Sequence, residues 1–272
     1  MKRTYSLSRQ RNFFSGFSLT NKLILVNVVL FLFTFLLIGV YSEDFFTNNF
    51  ALNPSFILSG EKLWTIFTSM FFHSGFLHLF ANMFSLFFVG NFLEKLIGTK
   101  RFGIVYLVSG LVGSLFFILA HFLIGSLNIF AVGASGAIFG LLGILAVLVP
   151  YSRIYLIVGP LLLILAEVLF SELLPSSLLP FFNAIINILF FVMIFALFSF
   201  NESFRKIAVP IELKMWLLPI VAIVPLVVIS FFIPLPIGNS AHFGGLVVGL
   251  VYGFYLRKKF PNKTMQLRTH FR

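Results

Sequence analysis

The chain has 272 residues, 60% of them hydrophobic and 10% charged, with forty phenylalanines, no cysteine and a formal net charge of +11. So little polar sequence cannot clothe a soluble domain of this length, and the lack of cysteine excludes disulfides and a thiol nucleophile. The apolar runs are continuous rather than alternating, which excludes a transmembrane β-barrel and indicates an all-α, polytopic transmembrane helical bundle.

In chain order, a basic segment at 1–21 precedes a first apolar run at 22–41. That run is too long for the core of a signal peptide, and no small-residue cleavage site follows it, so it is expected to stay as a span. Residues 42–75 are aromatic-rich and contain Pro54, Gly60 and Gly75. They are expected to form a long loop in or on the membrane surface. Further spans are expected at 76–94, 102–124, 131–149, 154–171, 179–200, 215–234 and 240–256. The whole makes one membrane domain over 22–256, about eight spans, with a basic tail at 257–272.

Charge orients this arrangement. With a cytoplasmic N-terminus, all of the nineteen basic residues except Lys62 fall in inner segments, as the positive-inside bias requires. Both termini are therefore expected to be cytoplasmic, and the protein is expected in the cell membrane. The basic excess reflects topology, not nucleic-acid binding, and the tail is expected to touch anionic lipid.

Polar side chains inside a bilayer are costly, so each needs a partner or a task. His78 and Asn82, in "HSGFLHLFANM", fall in the first turns of the second span and share one helix face at i, i+4. Ser135 opens the fourth span and His242 the eighth. All three spans enter from outside, so Ser135, His242, His78 and Asn82 should meet at one outer-leaflet depth. Small residues line both the serine span (Gly133, Gly136, Gly140, Gly143) and the histidine span (Ala241, Gly245, Gly249, Gly253). Such stripes let two helices approach backbone to backbone, bringing the hydroxyl within reach of the imidazole. A hydroxyl activated by a histidine is a nucleophile-and-base pair. The Ser135 amide, His78 and Asn82 are then candidate donors to an oxyanion.

Asp44 is the only aspartate, which removes a Ser–His–Asp triad and a two-aspartate protease. No His-Glu-x-x-His is present, and no metal or cofactor is implied. Elsewhere, His121 is expected to bond a neighbouring helix and Glu94 to serve as an ion pair or cap.

The segments "HSGFLHLFANM", "GASG" and "AHFGG", in that order and each at the outer end of a span, resemble the rhomboid family of intramembrane serine proteases over roughly Trp64 to Tyr255. The resemblance implies a six-helix core with about two additional helices. It also implies Ser135 as nucleophile, His242 as base, and His78, Asn82 and the Ser135 amide as the oxyanion site. His73 would be structural, Phe139 would stack on the catalytic imidazole, and Gly133, Gly136 and Gly245 would support the site. The implied function is an endopeptidase cutting transmembrane segments of other membrane proteins near their extracytoplasmic ends. A non-proteolytic relative that binds transmembrane helices, in trafficking or quality control, is the alternative. The chain departs from the family pattern at Thr65, which follows Trp64 where arginine is frequent. It departs again at Phe139, often a tyrosine, and in having three expected spans between Ser135 and His242 where the family has one.

Overall fold

A computed structural model describes residues 17–197, 201–231 and 238–271 of the chain. Lys2, Arg3, Arg9, Arg11 and Arg272, and positions 198–200 and 232–234 of two expected spans, lie outside the described residues.

The first span is α1 (Leu19–Val40), whose N-terminus is capped by the Ser18 hydroxyl accepting from the Asn21 amide. The expected surface loop is built of short helices, α2 (Glu43–Phe50), α3 (Pro54–Leu58) and α4 (Thr65–Thr68), followed by a 3-10 turn at Ser69–Phe71. Ser42 and Asn53 cap α2 and α3, and Pro54 at the start of α3 pre-sets its φ. The loop is sewn to the approach to Ser135 by backbone bonds. Leu52 and Ala131 exchange a pair at 2.9 Å each, and the Gly133 amide donates to the Ser69 carbonyl at 2.9 Å.

The second span runs unbroken from Phe76 to Ile97 as α5 (Phe76–Ser85), a π-helical stretch (Leu86–Gly90) and α6 (Asn91–Ile97). It turns through Gly98, at φ +84°, into α7 (Thr99–Leu123). Buried Glu94 stands at this corner. Its carboxylate accepts from the Leu19 and Thr20 amides and from the Thr20 and Thr99 hydroxyls, all within 2.9 Å. One anion thus satisfies orphan donors of α1 and steadies the start of α7. Of the two readings of Glu94, the cap is the one seen. The His121 ring lies against Phe117 of its own helix, with centroids 4.3 Å apart and planes tilted at 55°.

Next comes α8 (Ser135–Leu148), buried along almost its whole length. Positions 131–134, expected in this span, are instead the turn that delivers Ser135. At 14 residues, α8 rises only about 21 Å, against roughly 30 Å of bilayer hydrocarbon. A helix surrounded by other helices has no lipid to match.

The chain then leaves the core. Residues 154–157, expected to open the fifth span, form with Arg153 the strand β1 (Arg153–Ile157), paired antiparallel with β2 (Pro210–Lys214), Arg153 opposite Lys214 and Ile157 opposite Pro210. The β-branched and aromatic side chains of "RIYLI" suit a strand once a partner is present. An exposed ion pair, Arg153 to Glu212 at 3.0 Å, spans the pair. Between the strands lie α9 (Val158–Leu173), α10 (Leu179–Leu197) and the short α11 (Glu202–Arg205). Because β1 and β2 are neighbours, the excursion ends beside where it began. It touches the core through Phe190 and Phe191 of α10, whose rings meet Phe80 and Phe76 of α5 at 5.2 and 5.7 Å.

The helix after the strands, α12 (Leu218–Ser230), returns to the bundle. Met215, Leu218, Ala222 and Ile223 join the main hydrophobic cluster, in which no described side chain of α9 takes part. The 154–171 segment thus belongs to the inserted pair, and the 215–234 segment supplies the core helix preceding the last span. That last span is α13 (Asn239–Lys259), followed by α14 (Pro261–His270). Phe271, just beyond α14, packs edge-on against Phe92 of α6 at 5.3 Å. Among the described residues, four helices (α1, the Phe76–Ile97 span, α7 and α10) are long and apolar enough to cross a bilayer, and α8, α9 and α12 are shorter apolar helices.

Candidate active site

The site is made by the approach of α8 and α13. A Cβ built on Gly245 would collide with the Gly136 carbonyl, and one on Gly249 with the Gly140 carbonyl. Gly113 of α7 also lies close to the Ala241 carbonyl, 2.8 Å from where its Cβ would stand. The small residues therefore serve as the stripes the sequence suggested, and α7 adds a third. Backbones in contact leave no room for water or lipid between them.

This approach sets Ser135 Oγ 2.7 Å from His242 Nε2, although 107 positions separate the two residues. His242 is buried, and the Phe139 ring lies nearly parallel to its imidazole, with centroids 4.5 Å apart and planes at 22°. His242 Nδ1 is buried without a hydrogen-bond partner. Stacking and packing, not an acid, hold the ring. Ser135 is the first residue of α8, where a backbone N–H has no intrahelical acceptor.

His78 comes from the first turn of α5. Its Nε2 would be 2.8 Å from a Cβ on Gly133, and that same point is 3.9 Å from Ser135 Oγ. His78 thus reaches across the 131–134 turn to the serine's neighbourhood. Gly133 has φ +127°, a conformation that favours glycine, and any side chain there would displace the imidazole. Asn82 is buried one turn further along, but its amide nitrogen donates to the His78 carbonyl at 2.9 Å and is not turned to Ser135. Its Oδ1 has no partner.

His73 lies before α5, buried, with its ring edge-on to His78 at 5.1 Å. Burial, with His78 adding, pushes its pKa down to about 3, so it is neutral at physiological pH and serves as a wedge beneath His78.

One residue of the site had no sequence signal. The Ser74 hydroxyl is 3.0 Å from His78 Nδ1. A neutral imidazole with Nδ1 accepting carries its proton on Nε2, so a Ser74 hydroxyl donating to Nδ1 makes His78 Nε2 a donor toward Gly133 and Ser135. The i−4 spacing of Ser74 from His78 was the only available cue, and it is common in any loop–helix junction.

Comparisons with known proteins show which family the sequence is similar to. The family model for the Rhomboid domain matches residues 60–259. Among curated relatives, RHOMBOID-like protein 1 of Arabidopsis thaliana is 43% identical over 34% of this chain and 23% of its own length. The "Putative rhomboid protease YdcA" of Bacillus subtilis is 36% identical over 36% of this chain and 46% of its own. "Inactive RHOMBOID-like protein 8" of Arabidopsis thaliana is 34% identical over 39% and 33%. The matched stretch spans less than half the length of each of these relatives.

Proposed function

Since the chain belongs to the rhomboid family and is an integral multi-pass membrane protein, we propose that it is an intramembrane serine endopeptidase working through Ser135 and His242. The observation that carries this reading is the 2.7 Å contact between the serine hydroxyl and an imidazole clamped by Phe139. In the proposed reaction, Ser135 Oγ attacks the scissile carbonyl carbon while His242 Nε2 takes the hydroxyl proton. The proton then sits on an imidazolium whose Nδ1–H faces packed protein. The oxyanion receives hydrogen bonds from the Ser135 amide and His78 Nε2, and from the Asn82 amide once that side chain turns from the His78 carbonyl. Collapse breaks the C–N bond, and His242 returns its proton to the leaving amine. Water, activated by the same imidazole, then releases the acyl-serine and regenerates the hydroxyl.

The substrates are transmembrane segments of other membrane proteins. A helical carbonyl is already bonded and shielded, so the segment must unwind near the cut, favouring small or helix-breaking residues there. The basic residues of the inner segments support a cytoplasmic location for both termini, with Ser135 toward the extracytoplasmic face of a cell membrane.

A relative named as inactive keeps the second reading, helix binding without cleavage, in view. The paired Ser135 and His242 favour the first. Purified protein in liposomes with a single-span substrate separates them. Cleavage by the wild type that is lost in both Ser135→Ala and His242→Ala supports the protease. Stable substrate binding with no cleavage by the wild type overturns it.

A further inference from the structure

A cavity of about 440 Å³ lies at the opposite end of the bundle from Ser135, between Tyr151 in the turn that follows α8 and the corner of α13 and α14. It is lined by Tyr151, Arg257, Thr264, Arg268 and Thr269, with Pro261 and Met265 as apolar wall. Among the described residues, its lining holds two guanidinium groups and no carboxylate. Arg268 Nε is shielded from solvent and has no hydrogen-bond partner, although an enclosed guanidinium N–H left unbonded is unfavourable. Nearby, Arg101 lies over the Phe260 ring at 5.0 Å and adds positive charge to the same end.

The elements hold this cavity open for a reason visible in the packing. Thr264 is buried and spends its hydroxyl on the Phe260 and Pro261 carbonyls, fixing the turn between the helices. Leu267 and Phe271 pack on the core, which seats α14 across the bundle end and carries Arg268 to the side of Arg257. The volume falls in the range of small-molecule sites, about 300–1,000 Å³. Two guanidiniums facing one space match the forked geometry of a phosphate. At the end of a membrane span, the phosphate nearest to hand belongs to a lipid.

We propose that this cavity binds the phosphate of an anionic lipid headgroup between Arg257 and Arg268. The site differs from diffuse attraction of the basic tail to the membrane, because Lys258 and Lys263, exposed on the same two helices, lie outside its lining.

The test is native mass spectrometry of the purified full chain in detergent with added phosphatidylglycerol or phosphatidylcholine. Retained phosphatidylglycerol, with little phosphatidylcholine, is expected for the wild type. Arg257→Gln/Arg268→Gln should lower retention at least about tenfold, the loss of one or two charged hydrogen bonds. Lys258→Gln/Lys263→Gln, which removes the same charge, should change it less than about twofold. Arg268→Lys, which keeps the charge and loses the fork, should also weaken retention and serves if the double arginine variant does not fold. Equal loss in the arginine and lysine pairs overturns the proposal in favour of general attraction. Displacement of the lipid by millimolar inorganic phosphate overturns it in favour of a free-phosphate site.

Discussion

With its hydroxyl donating to His78 Nδ1, Ser74 leaves the proton of that ring on Nε2. With the hydroxyl removed, both tautomers of His78 become accessible and the donor facing the oxyanion is present only part of the time. Ser74→Ala is therefore expected to lower kcat by roughly tenfold, in the range of groups that orient a functional side chain, with KM little changed. Ser74→Thr should restore most of the loss, and a steady-state comparison of the three proteins checks it. His73 makes a pH prediction of definite sign. Its pKa in the fold is about 3, below the ordinary 6.5, because burial disfavours the charged ring. The unfolded chain therefore binds the proton first. The stability that the neutral ring supports is complete above about pH 6.5 and is lost progressively as pH falls toward 3. Thermal unfolding from pH 7.5 to 4 should show a decline that His73→Phe flattens. At this scale the sequence was informative where a costly polar group interrupts an apolar run, as at His78, Asn82, Ser135 and His242. It was silent at Ser74, a serine in a loop with no apolar background to mark it.

Among the elements, the pairing of α8 with α13 was readable because glycine every fourth residue has few uses in a membrane helix other than close approach. Its energetic consequence is local and severe. Gly249 faces the Gly140 carbonyl with no space for a Cβ, so Gly249→Val must push the helices apart. The expected cost is about 1–3 kcal/mol of stability from overpacking. The accompanying drop in rate is about a hundredfold, since a shift of roughly 1 Å between reacting groups has that effect. Both are measurable, by unfolding and by single-turnover cleavage, and activity should fall further than stability. What the sequence could not reveal was the truncated start of α8. The apolar pattern continues back through Ala131 and Val132, and only Gly133 at positive φ and its bond to Ser69 end the helix at Ser135. Tertiary contacts set that boundary, and periodicity does not encode them.

For the molecule as a whole, the inserted pair α9 and α10 is the main departure from a six-helix core, and the sequence left open which helices were extra. The missing information was the β1–β2 pairing. Each strand is only five residues long and abuts an apolar helix, so neither stands out as a separate element. Once paired, they close the insertion on itself. Replacing residues 158–209 with a two-residue turn is therefore expected to leave a folded, active core. The accessible control is Phe190→Ala, which empties the buried contact with Phe80 and loosens the insertion without removing it. Retained cleavage with a lower unfolding temperature is the expected result for both, and loss of folding after the excision would show the insertion to be integral.

The measurement that bears most directly on the proposed chemistry is labelling by a serine-directed fluorophosphonate, mapped to its residue by peptide mass spectrometry. Wild-type protein in membranes should carry the adduct on Ser135, and His242→Ala should lose it while remaining folded. An adduct on another serine, or labelling of Ser135 that persists undiminished without His242, would contradict an imidazole-activated hydroxyl as the reactive group.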